Sequence, residues 1–389
     1  MQHESAPKSG AVEVVNWMLS RGRHDTHMRK FGDQMCRRIV AAGIPLWRAS
    51  CSVATLHPQV VTSAYTWRRE DAGGAVRRAA PHAFTESPEW TRSPVAELKR
   101  TGRRIRRKIC DPGCPLDYPI VEELRAAGGT DYVVMPMICS SGEINTISWA
   151  TDRPGGFSEA ELADLTAIAD ALAIIVELQS TRRVARYLLD TYVGHRTGEK
   201  VWSGAITRGS QETIHAVIWY CDLRGFTTLT DSLAKERVIA LLNEYFEIVV
   251  DAVAAEGGEA LKFIGDAMLA IFELENQREV AARCRAALRA AALVRAKIQE
   301  RNLARRDLGE PEIRFGLALR LGEVSYGNIG ATNRLDFTVV GPAVNHASRL
   351  EKLAGELGRE VVTSASFALA SGAEMEHLGR HHLRGVREE

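Results

Sequence analysis

Two aspartates stand where apolar, β-rich runs stop. Asp222 closes residues 215–221 and is followed by Leu-Arg-Gly225-Phe-Thr227, and Asp266 sits beside Gly265 in a turn between Glu259–Ile264 and residues 267–272. Strand ends and tight turns let a carboxylate project into a cleft without being buried. Two such carboxylates on neighbouring strands can hold Mg²⁺, an oxygen-seeking ion whose other ligands are waters and substrate phosphates. Gly225 frees nearby backbone N–H groups to approach phosphate oxygens closely. Taken singly, each aspartate is an ordinary turn or cap residue, so the chemistry rests on the combination. Asn345 and Arg349 are four apart on a helix that opens after Gly341-Pro342, and that spacing puts them on one face. Alone, Arg349 reads as a surface helix charge.

The elements that must position these residues follow from periodicity. Residues 231–255 read as a long amphipathic helix and 280–302 as a second one, rich in Ala and Arg. Residues 312–321 read as a strand, with two more at 324–329 and 337–340. The order βαββαβ predicts a ferredoxin-like core with additions.

Upstream, residues 11–19 and 27–42 have helical spacing. Strands are expected at 47–56 and 60–67 around a His57-Pro58 turn, and a hairpin at 131–150. The run 99–108 holds seven Lys or Arg and reads as a solvated helix or loop face. Trp17, Trp47, Trp67, Trp90 and Trp149 read as core packing rather than a pocket lining. A helix starts after Ser158, where Ser158 and Glu161 form a capping box and Phe157 can staple onto Leu162. Its apolar register, Leu165, Ile168, Leu172, Ile175, then Leu189 and Val193, fits a parallel coiled coil or, over its first half, a helix packed on its own domain. The fold class is α+β with three regions: a sensor-like domain at 1–155, a helical linker at 156–212 and a catalytic domain at 213–389.

Bulk composition agrees with a soluble chain of two domains. Among 389 residues, 45% are hydrophobic and 25% charged, and 50 Lys and Arg balance 49 Asp and Glu. That balance calls for no nucleic acid and no anionic membrane as a partner. No apolar run approaches the roughly 20 residues of a membrane span, so the cytoplasm is the expected location. Seven scattered cysteines suit reduced thiols, and Cys110 and Cys114 lack the second close pair a zinc site would need.

The strings CDLRGFTTLTD, LKFIGDAMLAIF, LGEVSYGNIGA and DFTVVGPAVNHASRLE occur in this order. They resemble the catalytic motifs of class III adenylyl and guanylyl cyclases, over residues 216–386. The resemblance implies that Asp222 and Asp266 hold two Mg²⁺ or Mn²⁺ ions. Gly225, Phe226 and Thr227 would lie at the substrate phosphates, Asn345 would orient the ribose, and Arg349 would neutralise charge growing on the α-phosphoryl group. Arg384 resembles a basic residue that contacts the triphosphate. It also implies a homodimer with composite sites, Asp222 and Asp266 from one chain and Lys262, Thr338, Asn345 and Arg349 from the other.

Lys262 and Thr338 match the base-reading positions. Lysine only donates hydrogen bonds, which suits N1 of adenine and hence ATP, where resembling guanylyl cyclases carry glutamate. The Lys/Thr pair is similar to one subgroup of adenylyl cyclases. A guanylyl cyclase is the first alternative, and a degenerate cyclase fold serving nucleotide binding or dimerisation the second. Arg320 departs from the family, which often has His there. The element order of residues 1–155 resembles a GAF-type sensor for a small-molecule or protein signal, and the same order fits a PAS fold.

Overall fold

A computed structural model describes residues 10–25, 27–55, 60–71 and 73–383. The expected His57-Pro58 turn, Arg384 and residues 385–389 lie outside the described residues. The chain divides into two compact units, Met1–Tyr187 and Leu188–Glu389.

The first unit contains helices α1 (Gly10–Ser20) and α2 (Met28–Ala41) and strands β1 (Arg48–Ala54), β2 (Thr62–Arg68) and β3 (Val76–Ala80). Then come α3 (Pro88–Thr91), α4 (Pro94–Thr101), β4 (Ile105–Arg107), α5 (Pro119–Ala126), β5 (Asp131–Ile138), β6 (Ile144–Thr151) and the start of α6 (Glu159–Val193). The six strands form one antiparallel sheet in the order β3-β2-β1-β6-β5-β4. Strand β1 alternates, burying Ala49, Cys51 and Val53 under α1, α2 and α6. The other face is covered by Leu98 of α4 and by Val121 and Leu124 of α5, packed on Tyr132 and Val134. Trp67 and Trp149 are buried in the first core, and Trp17 stacks on Phe31.

The start of α6 follows its sequence signals. The Ser158 amide donates to Glu161 at 2.8 Å, and the Glu161 amide donates to the Ser158 hydroxyl at 3.3 Å, a complete capping box. Leu162, Leu165, Ile168, Leu172 and Ile175 all enter the core of the first unit. The first half of the helix therefore packs on its own sheet, and its apolar side is not free to form a coiled coil. The basic run at 99–108 is not simply a solvated face. Its Arg106 pairs at 2.7 Å with Asp131, which is fully buried and also accepts from the Phe157 amide at 3.0 Å. A Cβ on Gly156 would meet Asp131 Oδ2 at 2.7 Å, so this junction needs glycine. Cys110 and Cys114 are free thiols.

The second unit contains α7 (His195–Trp202), β7 (Gln211–Leu223), α8 (Phe226–Ser232), α9 (Lys235–Ala255), β8 (Glu259–Ile264) and β9 (Ala267–Leu274). It continues with α10 (Val280–Asp307), β10 (Phe315–Ala331), β11 (Arg334–Val340), α11 (Pro342–Glu356), β12 (Val361–Thr363) and α12 (Ala365–Ser371). The main sheet runs β11-β10-β7-β9-β8, with β12 pairing parallel to β10. The four strands β10-β7-β9-β8 carry the split βαβ order expected of a ferredoxin-like core. Helices α9 and α10 cover one face. Tyr245, Val249 and Val253 of α9 meet Ala287, Ala290 and Val294 of α10, whose small residues let the helices approach closely. Ala343 and Ala347 of α11 help to cover the other face, over Ala216, Ile218 and Tyr326.

Two expectations need correction. The strands expected at 312–321 and 324–329 are one continuous strand, β10. Gly322, which lies between the two expected strands, makes room for α11, since a Cβ there would meet the Ala343 Cβ at 2.7 Å. The helix expected from 231 is two helices, because Leu233 and Ala234 are extended, with ψ of 152° and 145°. The hydroxyl of Ser232 turns back on the Thr228 carbonyl at 2.9 Å, a local bond that competes with helix continuation.

Candidate active site

Strand β7 pairs antiparallel with β9, ending at Cys221 opposite Met268. One step further along this register, Asp222 stands beside Ala267, next to the turn that holds Asp266. That turn is two residues long, and Gly265 takes it through φ +67°, where a side chain would be strained. The register thus brings together the two carboxylates that were far apart in sequence. Asp222 is half-buried and hydrogen-bonded to Asp266. Burial first, then that hydrogen bond and the Asp266 charge, push the Asp222 carboxyl up to about 7. Two like charges this close resist joint ionisation unless a cation lies between them.

Asp222 Oδ1 is buried without a hydrogen-bond partner. A buried orphan oxygen calls for an explanation, and a hard divalent cation supplies one. Two carboxylates with room for waters and phosphate oxygens fit Mg²⁺ or Mn²⁺. Among the described residues, no cluster of three or more His, Cys, Asp or Glu is arranged to hold a metal. After Asp222 the chain turns at Gly225, with φ +72°, into α8. Phe226 is packed against the core, while Gly225 and Thr227 are exposed at the start of that helix.

Sequence reasoning missed the group that braces this loop. Arg224 pairs at 2.9 Å with Glu351 of α11 and donates to the Glu351 carbonyl at 3.1 Å. Glu351 is 2% exposed. Burial raises its pKa and the Arg224 charge opposes that rise. The guanidinium passes so close to β10 and α11 that a Cβ on Gly316 or Gly355 would lie 2.1 Å or 2.4 Å from it. Only the separation of these glycines in sequence hid the cluster. Replacing Arg224 by Ala strands the Glu351 carboxylate without a counter-charge. It is expected to cost about 3 kcal/mol, the low end for a broken buried pair, because Arg224 is itself a quarter exposed. Urea unfolding measures it. The double variant Arg224→Met, Glu351→Leu should recover most of the loss, and a single variant as stable as wild type would reject the account.

The other matched positions form two further groups. Lys262 of β8 extends to Asp336 of β11, with Nζ at 2.9 Å from Oδ2. Asp336 and Thr338 are two apart on β11 and so share a face. Thr338 is 5% exposed and its hydroxyl has no hydrogen-bond partner. Asp336, which sequence reasoning did not single out, thus joins Lys262 and Thr338. Asn345 and Arg349 lie on α11, the first exposed and the second half-buried. Among the described residues, neither side chain forms a hydrogen bond or ion pair with Asp222 or Asp266.

Comparison with known proteins agrees with this geometry. Residues 209–389 match the family described as adenylate and guanylate cyclase catalytic domain. The chain is 26% identical over 250 residues to adenylate cyclase 1 of Rhizobium meliloti, covering 60% of this chain and 36% of that protein. It is 33% identical over 162 residues to an adenylate cyclase of Anabaena cylindrica, covering 41% and 31%. The chain therefore spans about a third of the length of these curated relatives. Among solved structures, the adenylyl cyclase CyaB of P. aeruginosa is similar at 26% identity and a TM-score of 0.42, over 46% of this chain and 92% of that one. Among the described residues, no helix is long and apolar enough to cross a membrane. Residues 209–389 carry a class III adenylyl/guanylyl cyclase catalytic domain.

Proposed function

We propose that the chain is an adenylyl cyclase that converts ATP to cyclic AMP and pyrophosphate, working as a homodimer under control of its first unit. The observation that carries the cyclase reading is the Asp222–Asp266 pair, with one buried oxygen unpartnered at the end of β7. These two residues would hold two Mg²⁺ or Mn²⁺ ions, which lower the pKa of an attacking hydroxyl and stabilise the charge of a leaving phosphate. The chain's own part is positioning. Gly225, Phe226 and Thr227 shape the entry to α8, where backbone N–H groups can receive phosphate oxygens. Asn345 orients the ribose so that its 3′-hydroxyl lies in line with the α-phosphorus, and Arg349 meets the charge that develops on the α-phosphoryl oxygens. Arg384 is kept in this scheme as a triphosphate contact.

Two observations support composite sites. Asn345 and Arg349 have no bond to the aspartate pair of their own chain. Phe263, Ile264, Ile329 and Val340, on strands β8, β10 and β11, are 53%, 45%, 41% and 46% exposed. Exposed apolar side chains of this kind offer surface that a second chain can cover.

The choice of ATP rests on Lys262. Its ammonium donates to Asp336 and keeps further donors for an acceptor such as adenine N1. The unpartnered Thr338 hydroxyl can accept from the 6-amino group. Guanine presents a donor at N1, which Lys262 cannot accept, and that mismatch leaves polar groups unpaired, whereas the Thr338 hydroxyl can donate or accept and discriminates less. Turnover of ATP and GTP, measured side by side, tests this. Wild type is expected to prefer ATP. The pair Lys262→Glu, Thr338→Cys should shift the ATP-to-GTP ratio of kcat/KM by about 100-fold or more toward GTP, the range for a rebuilt hydrogen-bonding pocket. A folded double variant with the wild-type ratio would show that these residues do not read the base.

The sensor reading of the first unit, of GAF type, is supported by its antiparallel sheet covered on both faces and by α6, which leaves it toward the catalytic segment. Residues 156–212 are kept in this reading as a helical linker.

A further inference from the structure

The first unit contains a cavity of about 570 Å³, bounded by α2, β2, the approach to β3 and the Arg183 turn of α6. That volume lies within the range of small-molecule sites, roughly 300–1,000 Å³. Its charge is one-sided. Arg29, Lys30, Arg77 and Arg183 line it against a single carboxylate, Asp33. Asp33 is already committed, accepting from Arg37 Nε at 3.0 Å and from the Trp67 indole at 3.0 Å. Lys30 has Asp25 at 3.6 Å.

Among the described residues, the three arginines have only neutral oxygens as partners. Arg29 donates to the Ala75 carbonyl at 2.8 Å, Arg77 to the Ser63 hydroxyl at 3.2 Å, and Arg183 to the Tyr65 hydroxyl at 3.5 Å. Arg77 stands directly opposite Tyr65 in the β2–β3 ladder, and Arg183 reaches the Tyr65 hydroxyl, so both line the cavity beside that residue. The three arginines are exposed, and positive forks that face one cavity without counter-charge repel one another. Their backbones sit on regular elements rather than loops, which suits recognition.

We propose that this cavity binds a small phosphorylated molecule, with its phosphoryl group held by Arg29, Arg77 and Arg183. A guanidinium fork matches phosphate oxygens in bidentate fashion. Three forks offer more donors than the two oxygens of one carboxylate can accept, whereas a phosphoryl group brings three oxygens and up to two charges. The concave shape favours a small molecule over a nucleic acid or a lipid surface. The proposal names a ligand class for the unit read above as a sensor, but the site stands whether or not that unit regulates turnover.

The test titrates the full chain with inorganic pyrophosphate, and separately with inorganic phosphate, by calorimetry in EDTA at low salt. Saturable binding is expected. It should weaken at least about tenfold in the double variant Arg77→Gln, Arg183→Gln, which removes two charge-assisted contacts, and should persist in Asp222→Ala. Binding equal to wild type in the double variant overturns the site, as does no binding of either anion to the wild-type chain. Should the double variant fail to fold, labelling of the wild-type arginines by phenylglyoxal, read by mass spectrometry, decides. Pyrophosphate must slow labelling of Arg77 and Arg183, and unslowed labelling overturns the site. Ligand bound here that leaves cyclic nucleotide formation unchanged would overturn the sensor reading and not the site.

Discussion

Asp222→Ala and Asp266→Ala are each expected to lower cyclic nucleotide formation by about a thousandfold or more, the scale set by removing preorganised charge stabilisation from a reacting phosphate. The fold should survive. Asp222 is half-buried with an orphan oxygen, so its side chain makes few contacts whose loss would matter. Stability without metal even has a predictable sign. The folded-state pKa of Asp222 is raised, to about 7 from 3.8. The folded chain therefore holds a proton that the unfolded chain has released, and stability falls as pH rises from about 4 to about 7.

Asp222→Asn removes that penalty. In EDTA at pH 8 it should be at least as stable as wild type, by less than the full shift implies, because solvent screens a half-exposed carboxyl. At pH 4 the two should coincide. Adding Mn²⁺ should stabilise wild type and not the variant. Turnover near wild type in either alanine variant rejects the metal assignment. Loss of stability in EDTA at pH 8 would make Asp222 a structural residue instead.

The sequence was most legible where local rules and tertiary structure agree. Strand β8 and the Gly265-Asp266 turn appear at the residues expected, because apolar strands on both sides leave the glycine turn only one place to form. The capping box at Ser158 and Glu161 is equally local. Misreadings came where a residue serves a distant partner. The one strand read as two, at 312–321 and 324–329, passes through Gly322, which is a seat for Ala343. Leu165 through Ile175 fit either a coiled-coil seam or a helix packed on its own domain, and the second arrangement is the one that forms. Elements β3, β4, α4 and α5 lie in a segment dense in Pro, Gly and charge, where no period was long enough to read.

The candidate site divides in the same way. Asp222 and Asp266 carry a signal in their own turns. Arg224, Glu351 and Asp336 work through pairings 127, 127 and 74 residues apart, which periodicity does not register. The phosphoryl cavity was invisible for the same reason, since its arginines come from three separate elements, α2, β3 and α6.

Assembly gives the second large effect. If Asp222 and Asp266 act from one chain and Lys262, Thr338, Asn345 and Arg349 from its partner, a lone catalytic domain is inactive however well it folds. Arg349 has no ion pair with the aspartates of its own chain, and apolar side chains on β8, β10 and β11 await a cover. A two-fold axis makes both sites of the dimer equivalent. Asp222→Ala chains alone give dimers in which both sites lack a metal ligand, and Arg349→Ala chains alone give dimers in which both lack the guanidinium. A mixed dimer is different. One of its sites receives both lesions and the other receives neither. Random pairing makes about half of all dimers mixed, so about a quarter of all sites should be intact. Co-refolding the two inactive variants should therefore restore cyclic nucleotide formation to about a quarter of the wild-type rate per chain, from a background lower by orders of magnitude. Two different affinity tags, captured in sequence, show that mixed dimers are present. Mixed dimers without recovered activity would place both residues in the same chain's site and overturn the composite arrangement, while leaving the Asp222–Asp266 metal pair as it stands.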